Sequence, residues 1–251
     1  VWLTMWVFGR KLPLVCNTPF GLQTLPYRSN AHCTEARCLF VESKLDVEMI
    51  ANKIREFIYR RYNISFSKAG EDMQLMKLII HRTPGVYVDI GCWHPVKASN
   101  TYLFYIHGWK GICIDPNPEL RPLYLKFRPT DIFENCALGS QDLNLKYYML
   151  PDSSMNTLDY GFIEKRELQS QIQQVLDVPT IPLATILERH LQPGDRLDFF
   201  DVDVEGYDLE VLKTNDWERF RPRFLVVESD LPLKEDLVSE MHDYLVSVGY
   251  T

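Results

Sequence analysis

The sequence lacks the features that announce several common functions. It contains no Cys-x-x-Cys pair. His32, Cys33 and Cys38 lie close together, but no second ligand pair accompanies them, which argues against a zinc site. Of its six cysteines, Cys92, Cys113 and Cys136 sit inside or beside apolar runs, where a free thiol behaves as a small hydrophobe; a reducing, cytoplasmic setting is expected. Lys and Arg form no long run, and 27 basic against 34 acidic residues give a formal net charge of −7. Such a balance argues against wrapping nucleic acid or docking on anionic lipid. The small cluster Arg219-Phe220-Arg221-Pro222-Arg223 reads as a solvated loop before a strand. No apolar run is long enough to span a bilayer: Trp2 to Phe8 is too short, Gly9-Arg10-Lys11 follows at once, and the basic n-region of a signal peptide is missing. Internal repeats and low-complexity tracts are absent. So is the Gly-x-Gly-x-x-Gly loop with which backbone amides cradle a dinucleotide's pyrophosphate.

What is present is enough apolar sequence for one sizeable core, 46% of 251 residues. Residues 1–44 show no clear period and read as an extension of low order; a domain is expected over 45–251. Val47, Ile50, Ala51, Ile54, Phe57 and Ile58 fall on one helical stripe, and a second helix is predicted over Glu71 to His81. Strands then alternate with helices: strands at 86–90, 111–115, 132–137, 180–183, 197–204 and 224–228, helices near 101–107, 119–127, 184–190, 207–213 and 235–248. Residues 143–149 alternate like an edge strand, and the polar stretch 151–178 reads as an insert holding a helix or a lid. Such alternation predicts a doubly wound α/β fold with a mostly parallel sheet.

The strands that end on acids carry the chemistry. Val86-Tyr87-Val88-Asp89-Ile90-Gly91, Gly111-Ile112-Cys113-Ile114-Asp115 and Phe199-Phe200-Asp201-Val202-Asp203-Val204-Glu205-Gly206 all stop where ligands bind in parallel sheets, at the carboxyl ends of the strands. Carboxylates gathered there suit a ligand rich in hydroxyls and amines, such as an ammonium or sulfonium compound, and not bare phosphates. Gly91 lets backbone approach the ligand, and Asp115 is placed to accept two ribose hydroxyls. Asp201, Asp203 and Glu205 share one face if the strand continues through them. Asp203 or Glu205 could serve as general base, as could His94. A divalent cation held by these oxygens is an open alternative, but no metal is predicted.

These segments, together with Ser65-Phe66-Ser67-Lys68-Ala69-Gly70-Glu71-Asp72, Ser99-Asn100-Thr101, Gly108-Trp109-Lys110-Gly111-Ile112, Asn135-Cys136-Ala137-Leu138-Gly139 and Asp203-Val204-Glu205-Gly206-Tyr207-Asp208-Leu209-Glu210-Val211-Leu212, resemble the FkbM-type S-adenosylmethionine-dependent methyltransferases in order and spacing over residues 64–251. The resemblance implies a Rossmann-like fold of the class I methyltransferase type and O-methylation of a sugar, glycan or secondary-metabolite hydroxyl. It implies that Asp89 and Gly91 contact the methionine part of the cofactor, that Asp115 binds the ribose, that Asn135 to Ala137 lie along the adenine, and that Asp203 and Glu205 face the methyl group and acceptor. Lys68 stands where the family usually carries Gln. The family's closing antiparallel hairpin lies beyond Thr251, so the domain is expected to be C-terminally truncated. Strand 224–228 is therefore expected to present an open edge, prone to self-association. Two other readings compete: a nicotinamide-dependent oxidoreductase on a related fold, and a non-catalytic partner-binding remnant.

Overall fold

Short apolar runs shielded on both faces form the centre of the sheet. In the computed structural model, which describes residues 2–7 as backbone and residues 54, 57–59, 61–62, 64–79, 84–141, 143–192 and 195–251, the strands are β1 (Trp2–Val7), β2 (Val86–Ile90), β3 (Lys110–Ile114), β4 (Ile132–Glu134), β5 (Ala137–Leu138), β6 (Asn144–Met149), β7 (Gln174–Ile181), β8 (Leu197–Val202) and β9 (Phe224–Ser229). The main sheet runs β1-β9-β8-β2-β3-β4. Its five strands β9, β8, β2, β3 and β4 are mutually parallel, as the doubly wound expectation requires.

Val88, Phe199, Phe200 and Leu225 are wholly buried. On one face the helix Leu183–His190 packs Leu183, Ile186 and Leu187, spaced three and four apart, with no exposure at all. The helix Glu240–Ser247 starts where Ser239 Oγ accepts the His242 amide at 3.1 Å. The helices Glu71–Ile79, Tyr102–Ile106, Arg121–Phe127 and Asp208–Leu212 stand close to their expected positions.

Three sequence expectations need correction. The run 132–137 is not one strand: Ile132–Glu134 stays in the main sheet, whereas Ala137–Leu138 joins a second sheet ordered β5-β7-β6. The insert 151–178 holds the helix Tyr160–Lys165 and also most of β7, which pairs antiparallel with β6 from Asn144↔Pro179 to Met149↔Gln174. The open edge expected at 224–228 is filled. β1 lies antiparallel along β9, with Trp2 opposite Ser229 and Val7 opposite Phe224, so its backbone groups complete the ladder along that edge of β9.

The chain divides into two compact units, Val1–Val15 with Ser65–Thr251, and Cys16–Ile64. In the second unit Ile54, Phe57–Tyr59 and Arg61 are helical, within the helix expected from Asp46. The remainder of that helix, and residues 8–44 of the expected low-order extension, lie outside the described residues. Among the described residues no helix is long and apolar enough to cross a membrane.

Candidate active site

The chain leaves β2 toward β3 and β4 on one side, and returns to the other side through β8 and β9. The order therefore reverses between β2 and β8, where a crevice opens at the carboxyl ends of the strands. Its walls include Gly91 and Trp93 after β2, Asp115 after β3, Cys136 and Leu138 near β5, Tyr147 of β6, Asn156 and Thr157 of the insert, and Asp203 and Glu205 after β8. Gly91, Asp115, Asp203 and Glu205, expected from sequence, thus come together.

Gly91 is fixed twice over. Its φ is +79°, and a Cβ placed there would lie 1.8 Å from the Asp203 carbonyl oxygen. A Gly91→Ala substitution has to open the β2–β8 junction. It is expected to cost more than about 2 kcal/mol in urea denaturation, from the left-handed backbone and the clash together.

Asp115 is buried, and its carboxylate accepts the Trp93 amide at 3.1 Å and the Asn117 amide at 2.8 Å. Burial pushes its pKa up to about 6, against those two bonds. Asn135 reaches this residue indirectly, donating from Nδ2 to the Asp115 carbonyl at 2.8 Å. Ala137 is buried in β5.

The other expected residues stand apart from the crevice walls. Asp89 lies opposite Asp201 across the β2–β8 ladder. Its carboxylate takes the Thr101 hydroxyl and sits 3.8 Å from Arg128; burial raises its pKa while Arg128 and Thr101 pull it back. Asp201 accepts from Asn100 Nδ2 at 3.2 Å. His94 turns its Nδ1 to the amides of Val96 and Lys97, at 3.1 and 3.0 Å. Burial and the nearby Lys97 lower its pKa.

The shared strand face expected for Asp201, Asp203 and Glu205 is a further correction. β8 ends at Val202, and the chain turns through Glu205 at φ +52° and Gly206 at φ +97°. Only Asp203 and Glu205 turn toward the crevice. The turn is held firmly: Asp208 accepts the Val204 and Gly206 amides at 3.0 and 3.2 Å, and Thr157 Oγ1 donates to the Glu205 carbonyl at 2.8 Å.

Two contributions escaped sequence reasoning. Glu228, near the end of β9, converges on Asp203 and Glu205, so that one carboxylate oxygen from each lies within 4.8 Å of the others. The signal was available, because the apolar strand 224–228 also ends on an acid. Burial and the Glu228 charge together push Glu205 up to about 8 and Asp203 well above the usual carboxylate range. The second is a link between walls, Trp93 Nε1 donating to Ser153 Oγ at 2.9 Å, which ties the loop after β2 to the insert.

No curated protein and no solved structure matches the chain. The model of the methyltransferase FkbM domain matches residues 89–251, a span that holds every crevice residue named above. The chain therefore belongs to the FkbM-domain methyltransferase family.

Proposed function

We propose that the protein is an S-adenosylmethionine-dependent O-methyltransferase acting on a hydroxyl of a sugar, glycan or secondary metabolite. The observation that carries this reading is the chemistry of the crevice lining. Asp115, Asp203 and Glu205 line it, and no Lys, Arg or His does among the described residues. Such a lining offers a phosphate-bearing nucleotide no cationic side chain, whereas an adenosine joined to a sulfonium and an ammonium brings hydroxyls and positive charge that carboxyl oxygens can accept. These donors and acceptors fit the cofactor that the family implies.

Asp115 would hold the ribose hydroxyls, Gly91 would let backbone approach the methionine part, and Cys136 and Leu138 offer apolar wall for the base. When bound, the cofactor supplies an electrophilic methyl group on sulfur. The protein's task is to hold the acceptor oxygen in line with that methyl and to take the proton the oxygen loses. Asp203 and Glu205 support the second role, since both carboxyls have raised proton affinity and face the crevice. His94, with Nδ1 already engaged, is the weaker candidate. The insert residues Ser153, Asn156 and Thr157, with Trp93, would form the acceptor side. The free thiols Cys92, Cys113 and Cys136 accord with a cytoplasmic enzyme.

Asp115→Asn tests the reading. It keeps the side chain's size and one carbonyl acceptor but removes the charge. Calorimetry is expected to show S-adenosylmethionine affinity falling about 10- to 100-fold, the range for losing a hydrogen bond to a charged group. In the wild type, affinity is expected to decline as the pH drops below about 6, where Asp115 takes up its proton. Unchanged affinity in the variant would remove Asp115 from the ribose site.

A further inference from the structure

Three carboxylates converge at one end of the crevice from three fixed points: Asp203 after β8, Glu205 in the left-handed turn, and Glu228 on β9. Each presents an oxygen within 4.8 Å of the other two. Two oxygens bound on opposite sides of one calcium-sized ion stand about 4.6–5.2 Å apart, and less around a smaller ion, so a single cation can touch all three.

Nothing among the described residues fills that role. Asp203 Oδ1 is enclosed and no donor among the described residues reaches it; the group its side chain meets is another carboxyl, that of Glu228. Glu205 is only 8% exposed, and no hydrogen bond or ion pair reaches its carboxylate. Arg166 is committed to Asp230 at 2.6 Å, and Lys68 makes no ion pair with the cluster. The turn carrying two of the three groups is pinned by Asp208 and Thr157, so the oxygens stay close despite their mutual repulsion. Glu228 and Asp208 also line an open depression beside the helix Glu240–Ser247, which gives the cluster a route to solvent.

We propose that Asp203, Glu205 and Glu228 bind one hard divalent cation of the Mg²⁺, Mn²⁺ or Ca²⁺ class at the acceptor end of the crevice. An all-oxygen, all-carboxylate set selects such ions over zinc or copper. Binding follows from the cluster alone. Its role rests on the methyltransferase reading: a cation here would orient an acceptor that offers two neighbouring oxygens, such as a vicinal diol of a sugar.

The test is titration of Mn²⁺ into the full chain, followed by loss of the free-ion electron paramagnetic resonance signal, with Mg²⁺ as competitor. One Mn²⁺ per chain is expected, with a dissociation constant below about 1 mM. Glu228→Gln and Glu205→Gln are each expected to weaken it about tenfold or more. Both relieve repulsion, so their thermal melts are expected to show folded protein. A folded wild type that binds no Mn²⁺ below about 1 mM, or variants that bind as well as wild type, would overturn the proposal. S-adenosylmethionine titrated into the same wild-type sample is an independent readout. Mn²⁺ binding without cofactor binding counts against the methyltransferase reading and leaves the cation site standing; cofactor binding without Mn²⁺ does the reverse.

Discussion

The metal-free protein is expected to lose about 3 kcal/mol or more of stability between about pH 5 and about pH 8. In and around its crevice it buries acids that hold their protons unusually tightly. Burial is the leading cause at each: Glu205 is pushed up to about 8, Asp208 to about 7 and Asp115 to about 6, with Asp201 and Asp203 raised as well. In the unfolded chain these groups release their protons near pH 4. Between that value and the folded one the native state binds more protons than the unfolded state, so stability falls as pH rises. The contribution is complete below about pH 4 and is lost progressively up to about pH 8. Urea unfolding midpoints measured across this range check it. A stability that rises toward pH 8 would contradict the buried cluster. Saturating Mn²⁺ is expected to flatten the decline, because a cation favours the ionised carboxylates that protons otherwise neutralise.

Replacing Arg128 is expected to be among the most damaging single changes. Its side chain is fully buried after the helix Arg121–Phe127, with Nε donating to Asp131 at 2.7 Å and Nη1 to Thr101 at 3.0 Å. Nη2 donates to the Tyr87 hydroxyl. The rings of Tyr87, Tyr105 and Tyr124 surround the guanidinium at 5.3 to 5.6 Å. Arg128→Met removes the charge and leaves Asp131 and Asp89 buried without it, a loss of about 3–5 kcal/mol. Asp131 would keep the Tyr87 hydroxyl and the Gly111 amide at 2.7 and 2.9 Å, but neither carries a charge. Since Asp89 lies two residues before Gly91, the variant is also expected to loosen the crevice floor. A urea denaturation curve gives the cost; a change under about 1 kcal/mol would mean that the network relaxes around the gap.

The parallel centre of the fold is legible in the sequence because its strands are buried on both faces. Val86–Ile90 and Phe199–Val202 read as apolar runs interrupted only by Asp89 and Asp201. Pairing between distant segments is less legible. Trp2–Val7 is visibly apolar, yet nothing in it names β9 as its partner. Most of β7 reads as polar insert because it follows the Gln-rich stretch 169–174 and its first residues are exposed, with burial increasing only toward Thr180, where the sequence does predict a strand. The site divides the same way. Gly91 and Asp115 announce themselves by following strands directly, whereas the meeting of Glu228 with Asp203 and Glu205 depends on the β8–β9 register and on a left-handed turn. Arg128 reads as an ordinary basic residue near a helix end, because its partners at 87, 89, 101 and 131 are scattered along the chain.

The measurement that bears most directly on the proposed activity is a pair of calorimetric titrations into one folded sample of the chain, S-adenosylmethionine in one and NADH in the other. A crevice lined by acids and free of cationic side chains is expected to bind one S-adenosylmethionine per chain and to give no heat with NADH. A folded sample that binds NADH and ignores S-adenosylmethionine would contradict the account.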